Sequence, residues 1–264
     1  MTTQRKTDDP SSLLERAQSL GLWGLVEHWT EISRSEWIRA VIELEEGARG
    51  RRSLERRIRS AKLGKFKPMC DFDWKWPRKI DRALLDDIFA LDLLDEGVNV
   101  VLLGSNGVGK TMIARNLAHQ AILRGATARF TTASEILNDL AAQLSPTALE
   151  RRLRNYCAPQ LLALDEVGYL STSSEHADLL FEIVSRRYEL RRPIVLTTNK
   201  PFSEWGQVFP SSTIVLTLVD RLIHRCEIVS IDADSYRKKE AEDRGKRREL
   251  ERKNRSKKRK SEES

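Results

Sequence analysis

Apolar positions along the chain fall into two regimes. Between residue 12 and about 63 they recur at helical spacing: Leu13, Leu14 and Leu20 lead into Leu22, Leu25, Val26 and Trp29. Trp37, Ile38, Val41, Ile42 and Leu44 then share one helical face, and Ser33 with Glu36 three residues on predicts a capping box ahead of them. Trp23, Trp29 and Trp37 are expected as core residues of a small helical bundle rather than as base-stacking groups. From about 79 to 231 short apolar runs alternate with longer amphipathic segments. "NVVLL", "ATARFTT", "PQLLALDE", "RPIVLTTN" and "CEIVSI" read as five strands separated by helices, which predicts a parallel sheet covered on both faces. "KFKPMCDFDWKWP" lies between the regimes and breaks helical patterning. The expected organisation is a helical domain over 1–66, a linker over 67–78, an α/β domain over 79–237 and a basic tail over 238–264. That tail is almost free of apolar residues, so it is expected as a solvated helix or a disordered segment.

Charge sharpens this division. The net +7 is unevenly spread: nine Lys/Arg and one Glu lie between Arg49 and Lys67, and thirteen Lys/Arg and seven Asp/Glu between Lys238 and Ser264. The rest of the chain is mildly acidic, so two basic segments flank an acidic body and point to a polyanionic partner. Three cysteines (Cys70, Cys157, Cys226) and four histidines (His28, His119, His176, His224) show no metal-binding spacing. With no apolar run near the ~18 residues a membrane span needs and no apolar signal core at the N-terminus, the expected setting is the cytoplasm, without a membrane partner.

The candidate chemistry lies at strand ends. Gly104, Gly109, Lys110 and Thr111 satisfy G-x-x-x-x-G-K-[ST]. In such a loop (Gly104, Ser105, Asn106, Gly107, Val108, Gly109) backbone N–H groups curl around phosphate oxygens. Lys110 reaches the β- and γ-phosphates and the Thr111 hydroxyl holds Mg²⁺. "LLALDE" ends a buried strand in Asp165, suited to the metal side, and Glu166, suited to polarising water. A water-activating carboxylate favours hydrolysis over transfer to a small molecule. Asn199, ending "IVLTTN", can bond the water or the γ-phosphate. "VDRLIHR" reads as a helical segment with Arg221 and Arg225, and an arginine held away from its own loop can serve a neighbour's phosphate. In the basic stretch, Arg49, Arg51, Arg52, Arg56, Arg57, Arg59, Lys62 and Lys65 are expected to meet the phosphates of a polyanionic partner.

Together with "SEWIRAVIELEEGARGRRSLERRIRSAK", "FDWKWPRKID", "LTTNKPFSEWGQVF" and "DADSYR", these motifs resemble the AAA+ ATPases, and within them the helicase-loader/IstB group, the ATP-binding transposition helpers of bacterial insertion sequences. The resemblance covers nearly the whole chain through about Arg237. It implies a P-loop fold with a small helical N-terminal domain, here with a reduced or absent C-terminal lid. Position by position it implies Asn199 as first sensor, Arg221 as a finger acting in trans and Arg237 at a second-sensor position. It also implies ATP with Mg²⁺, homo-oligomers on double-stranded DNA without strong sequence preference, and recruitment of a transposase. A replicative helicase loader, and a DNA-bound scaffold that binds ATP but hydrolyses little, are the alternatives. Nothing in the resemblance accounts for the tail ending "KNRSKKRKSEES".

Overall fold

The computed structural model describes residues 10–168, 174–208 and 212–262; the first and last residues of the expected N-terminal domain and tail lie outside them. The chain forms two compact units, Met1–Arg57 and Ile58–Ser264. The division falls nine residues before the expected boundary at 66, inside a single long helix.

The first unit holds α1 (Pro10–Ser19), α2 (Trp23–Glu27), α3 (Trp29–Ile32) and most of α4 (Trp37–Ala61). Its core is Leu13, Ala17, Leu20, Ile38 and Ile42, with Trp29 packed at the margin. Trp23 and Trp37 are not core residues: they are 61% and 49% exposed. A unit with one α1–α4 seam has no interior wide enough for three indoles, and Ile38 and Ile42 fill it. Ser33 does not open α4 either; it closes α3, and α4 begins at Trp37.

In the second unit α5 (Arg82–Phe89) and α6 (Leu93–Glu96) lead into a five-stranded sheet. Its strands are β1 (Asn99–Gly104), β2 (Ala128–Thr132), β3 (Leu161–Val167), β4 (Ile194–Thr198) and β5 (Cys226–Ile231), in the order β2-β3-β4-β1-β5. All four pairings are parallel, as the five apolar runs predict. β3 and β4 are buried along nearly their whole length and β1 through Val100–Leu102, because helices cover both faces. Those helices are α7 (Lys110–Leu123), α8 (Ala133–Ala141), α9 (Pro146–Cys157), α10 (Ser174–Glu189), α11 (Trp205–Val208) and α12 (Ser212–Ile223). Local sequence starts two of them: Thr132 and Glu135 form a capping box on α8, and Ser145 caps α9 with Pro146 in its first turn. Arg221 lies on α12, while Arg225 falls beyond its end.

Two segments depart from the expected organisation. Residues 67–78 are part of the second unit rather than a linker. The Lys67 carbonyl accepts from Asn116 Nδ2 (2.9 Å) and Trp76 Nε1 donates to the Asp234 carbonyl (2.8 Å). The prolines break helicity there, and the aromatic side chains then find a wall to pack on. The tail, of the two forms expected for it, takes the helical one: α13 runs from Tyr236 to Glu262.

Candidate nucleotide site

The carboxyl ends of β1, β3 and β4 converge on one cavity of about 310 Å³, lined by the Asn106–Met112 loop, Glu166, Thr197, the 67–77 segment and the start of α13. β1 delivers the chain into the glycine loop, and α7 starts directly at Lys110. Three glycines there leave a side chain no room, and a Cβ on Gly104 would lie 2.5 Å from the Ile231 carbonyl oxygen. A Cβ on Gly107 would lie 2.4 Å from Ser235 Oγ, and one on Gly109 2.7 Å from Phe72 Cε2; both also have positive φ. The loop is thus folded tightly under its neighbours, with the first N–H groups of α7 at its end.

Lys110 is buried, and its ammonium donates to the carbonyls of Gly104 (2.7 Å) and Ser105 (2.8 Å). Burial pulls its pKa below the ordinary lysine value; Asp165 and Glu166 oppose that shift while Arg237 adds to it. An arriving polyanion would favour the charged form.

Around the acid pair the strand itself is irregular. Leu164 pairs with Leu196 but Val167 pairs with Thr198, so Asp165 and Glu166 together face Thr197. Such a bulge re-aims side chains. Asp165 stays 3% exposed, whereas Glu166, at φ 61°, is the one exposed residue of β3. Positive φ is uncommon for a residue with a Cβ and costs on the order of 1 kcal/mol or more. Thr197 holds this geometry: its hydroxyl donates to Asp165 Oδ1 (2.5 Å) and accepts the Glu166 N–H (2.9 Å). Thr111 Oγ1 donates to the same Oδ1 (3.0 Å). The loop hydroxyl and the strand acid predicted for the metal side therefore meet directly. A hydroxyl beside a carboxylate is a hard-oxygen donor set that fits Mg²⁺ completed by phosphate and water oxygens. Among the described residues no cluster of three or more His, Cys, Asp or Glu could hold a metal on its own.

Asn199 follows β4, and its Oδ1 is buried with no hydrogen-bond partner. An orphaned acceptor of this kind calls for a donor that arrives with ligand or water. Arg237 reaches the cavity from the first turn of α13. Arg221 is not in this cavity. It lies at the opposite edge of the sheet, its guanidinium 5.0 Å from the Phe181 ring and 5.9 Å from the Tyr188 ring.

Several lining residues escape the sequence reading. Thr197 carries no motif beyond its place on a buried strand. Phe72 seats on Gly109 and meets Trp74 edge-on at 4.8 Å; Trp76 meets Tyr236 edge-on at 5.8 Å, with Lys239 Nζ 4.4 Å above the indole. Phe72, Trp76, Pro77 and Tyr236 form an apolar wall of the cavity suited to a flat heterocycle. The aromatic density of "FDWKWP" was the available signal.

Of the basic residues expected at DNA, Arg49, Arg51, Arg52, Arg56, Arg59, Lys62 and Lys65 are exposed and Arg57 is half-buried. Glu45 pairs with Arg49 (2.5 Å) and Arg52 (3.2 Å), and Arg57 donates to Ser53 Oγ (2.7 Å). They divide between the units, Arg49 to Arg57 in the first and Arg59 to Lys65 in the second.

Comparison with known proteins agrees with this geometry. A family model described as IstB-like ATP binding protein matches residues 23–244. The chain is 34% identical over 209 residues to the ATP-binding protein of insertion sequence IS5376 from Geobacillus stearothermophilus, covering 79% of this chain and 83% of that one. It is 33% identical over 210 residues to the ATP-binding protein of IS21 from Pseudomonas aeruginosa, covering 80% and 79%. Among solved structures DnaI matches with a TM-score of 0.52 at 19% identity, over 64% of this chain and 89% of that one. The replication initiator DnaA bound to AMPPCP and single-stranded DNA matches at 0.50 and 20% identity, over 62% and 52%. These likenesses establish the fold as that of the AAA+ P-loop proteins. No described helix is long and apolar enough to cross a membrane. With the phosphate loop, the strand acids and the sheet order in place, the chain belongs to the IstB-like family of insertion-sequence ATP-binding proteins.

Proposed function

We propose that the chain hydrolyses ATP while assembled on duplex DNA and recruits a transposase to it. The observation that carries this reading is the Thr111–Asp165–Thr197–Glu166 arrangement, in which a strained, exposed glutamate stands beside a buried metal-side aspartate. Lys110 and the loop amides bind the phosphates, and the Phe72, Trp76 and Tyr236 wall takes the base. Thr111 and Asp165 would hold Mg²⁺, which when bound supplies positive charge to the phosphate oxygens. Glu166 orients and polarises water, Asn199 accepts a hydrogen bond from it, Arg237 adds charge from the cavity wall, and Arg221 reaches a neighbouring protomer's phosphate. The exposed cations of α4 neutralise DNA phosphates without reading bases, and insertion-sequence membership of the relatives supports the transposase partner.

Glu166→Gln tests the assignment because it removes the base while keeping size and position. ATP affinity should stay within about threefold and turnover should drop by roughly 10²–10⁴-fold. Turnover unchanged in that variant would remove Glu166 from the mechanism.

A further inference from the structure

α13 spans 27 residues, yet after Tyr236 only Ala241 and Leu250 are apolar. A helix polar all round relies on pairs between successive turns. The sequence places Glu240 before Arg244, Glu242 before Lys246, Asp243 before Arg247, Glu249 before Lys253 and Glu251 before Arg255. Each acid precedes a base by four residues, the favourable order along a helix, while Glu240 is held by Lys67. From Lys238 to Glu251 six bases balance five acids, whereas Arg252 to Lys260 holds seven bases and no acid. A shaft of small net charge therefore carries a strongly basic end. At ~1.5 Å per residue the shaft from Tyr236 to Glu251 is about 23 Å long.

Its root is fixed on the nucleotide cavity. The Tyr236 N–H donates to the Gly107 carbonyl (2.9 Å), Lys239 pairs with Asp73 (3.0 Å) and Glu240 pairs with Lys67 (2.6 Å). The family match ends at residue 244, so the basic end lies beyond what the family describes.

We infer that Arg252–Lys260 is a second duplex-DNA contact, additional to α4 and mounted on a stiff shaft rooted in the nucleotide cavity. It rests on the DNA-binding reading above. Nine helical residues span about 12 Å, over which a duplex presents about seven phosphates, matching the seven bases. A protein partner would call for buried aromatic or apolar anchors, unpaired RNA for stacking rings, and a lipid surface for an apolar face; the 252–260 sequence offers none of these.

The test replaces Arg252, Lys253, Arg255, Lys257, Lys258, Arg259 and Lys260 by Gln in the full chain, since Gln preserves helix propensity. Affinity for a random-sequence duplex is then followed across a salt titration. The log–log slope should flatten by between about two and six, the ceiling being set by ~0.9 per lost phosphate contact, with ATP affinity unchanged. A slope equal to the parent's overturns the inference, and that is also the outcome for an end that serves an acidic protein. Charge reversal at Arg51, Arg52 and Arg56, run in parallel, separates the two readings. If it flattens the slope while the tail variant does not, the arm alone is wrong. If neither does, the DNA-binding reading fails as well.

Discussion

The two edges of the sheet use cations in opposite ways. At the carboxyl edge one ammonium, Lys110, is buried in a glycine loop beside two carboxylates, and backbone geometry does most of the shaping. The amino edge carries a cavity of about 240 Å³ lined by Arg187, Arg191, Arg192, Arg221 and Arg225. Some of those arginines are committed to the fold. Arg187 is fully buried and donates to the carbonyls of Tyr156, Cys157, Pro159, Gln160 and Pro193, and Arg192 donates to Cys157. Arg221 is held by ring faces instead, and among the described residues no carboxylate pairs with it. A preoriented guanidinium without a counter-ion is available to a ligand brought by another molecule. In the proposed mechanism the carboxyl edge supplies the phosphate loop and the acid pair, and the amino edge supplies the arginine that serves a neighbour.

The largest effect should come from separating those edges. Arg221→Ala should bind ATP normally and turn over about 10³-fold more slowly, the scale of a lost arginine finger. Mixed with Lys110→Ala on DNA, it should regain part of its activity, because an intact loop then meets an intact finger at some junctions. Phosphate release across mixing ratios is the measurement. No recovery at any ratio, with co-assembly verified, would place the full site within one protomer.

A stability effect should distinguish the committed arginines. Arg187→Met removes a buried donor shared by five carbonyls, of which Cys157 keeps Arg192 and Pro193 keeps the Leu162 N–H, so unfolding should become easier by about 3 kcal/mol. Arg221→Ala, by contrast, should cost about 1 kcal/mol or less. Urea midpoints of the two variants compare them, and equal shifts would mean that Arg221 too is structural.

The edges also differ in how much of each could be read from sequence. Strand order aside, the carboxyl edge announces itself: apolar runs ending in G-x-x-x-x-G-K-T and in Asp-Glu specify backbone shape and chemistry locally. Arg221 and Arg187 sit in ordinary-looking helical sequence, and what separates them is which carbonyls or rings the fold brings near. The same holds for 67–78, where the prolines announce a break in helicity but not that Phe72 and Trp76 would wall the cavity. Trp23 and Trp37 teach the converse. Helical periodicity marks an apolar face, but in a small unit only one line of it is buried, and the larger side chains are left outside.

Thr197→Val probes the strand bulge at the carboxyl edge. Valine matches the shape but neither donates to Asp165 nor accepts the Glu166 N–H. Losing those two bonds should cost about 1–2 kcal/mol. If the hydroxyl maintains the bulge that exposes Glu166, turnover should fall about tenfold while ATP affinity changes less than threefold. A change confined to affinity would assign Thr197 to phosphate binding instead.

The smallest effect is expected at Tyr188. Its ring centroid lies 5.9 Å from the Arg221 guanidinium, farther than that of Phe181, and Tyr188 is 43% exposed. Cation–π contacts at exposed sites contribute about 0.5–1 kcal/mol. Tyr188→Leu keeps much of the bulk and removes the quadrupole, so turnover should fall about two- to fivefold with ATP affinity unchanged. Because Phe181 also packs against the core, its substitution would mix positioning with stability, which makes Tyr188 the cleaner probe. The decisive measurement is the same substitution in the Arg221→Ala background. If Tyr188 acts by orienting Arg221, removing the ring there should make no further difference to turnover. A loss of equal size in both backgrounds would mean that the ring and the guanidinium work independently, and that the arginine at this edge is not held ready by its aromatic neighbours.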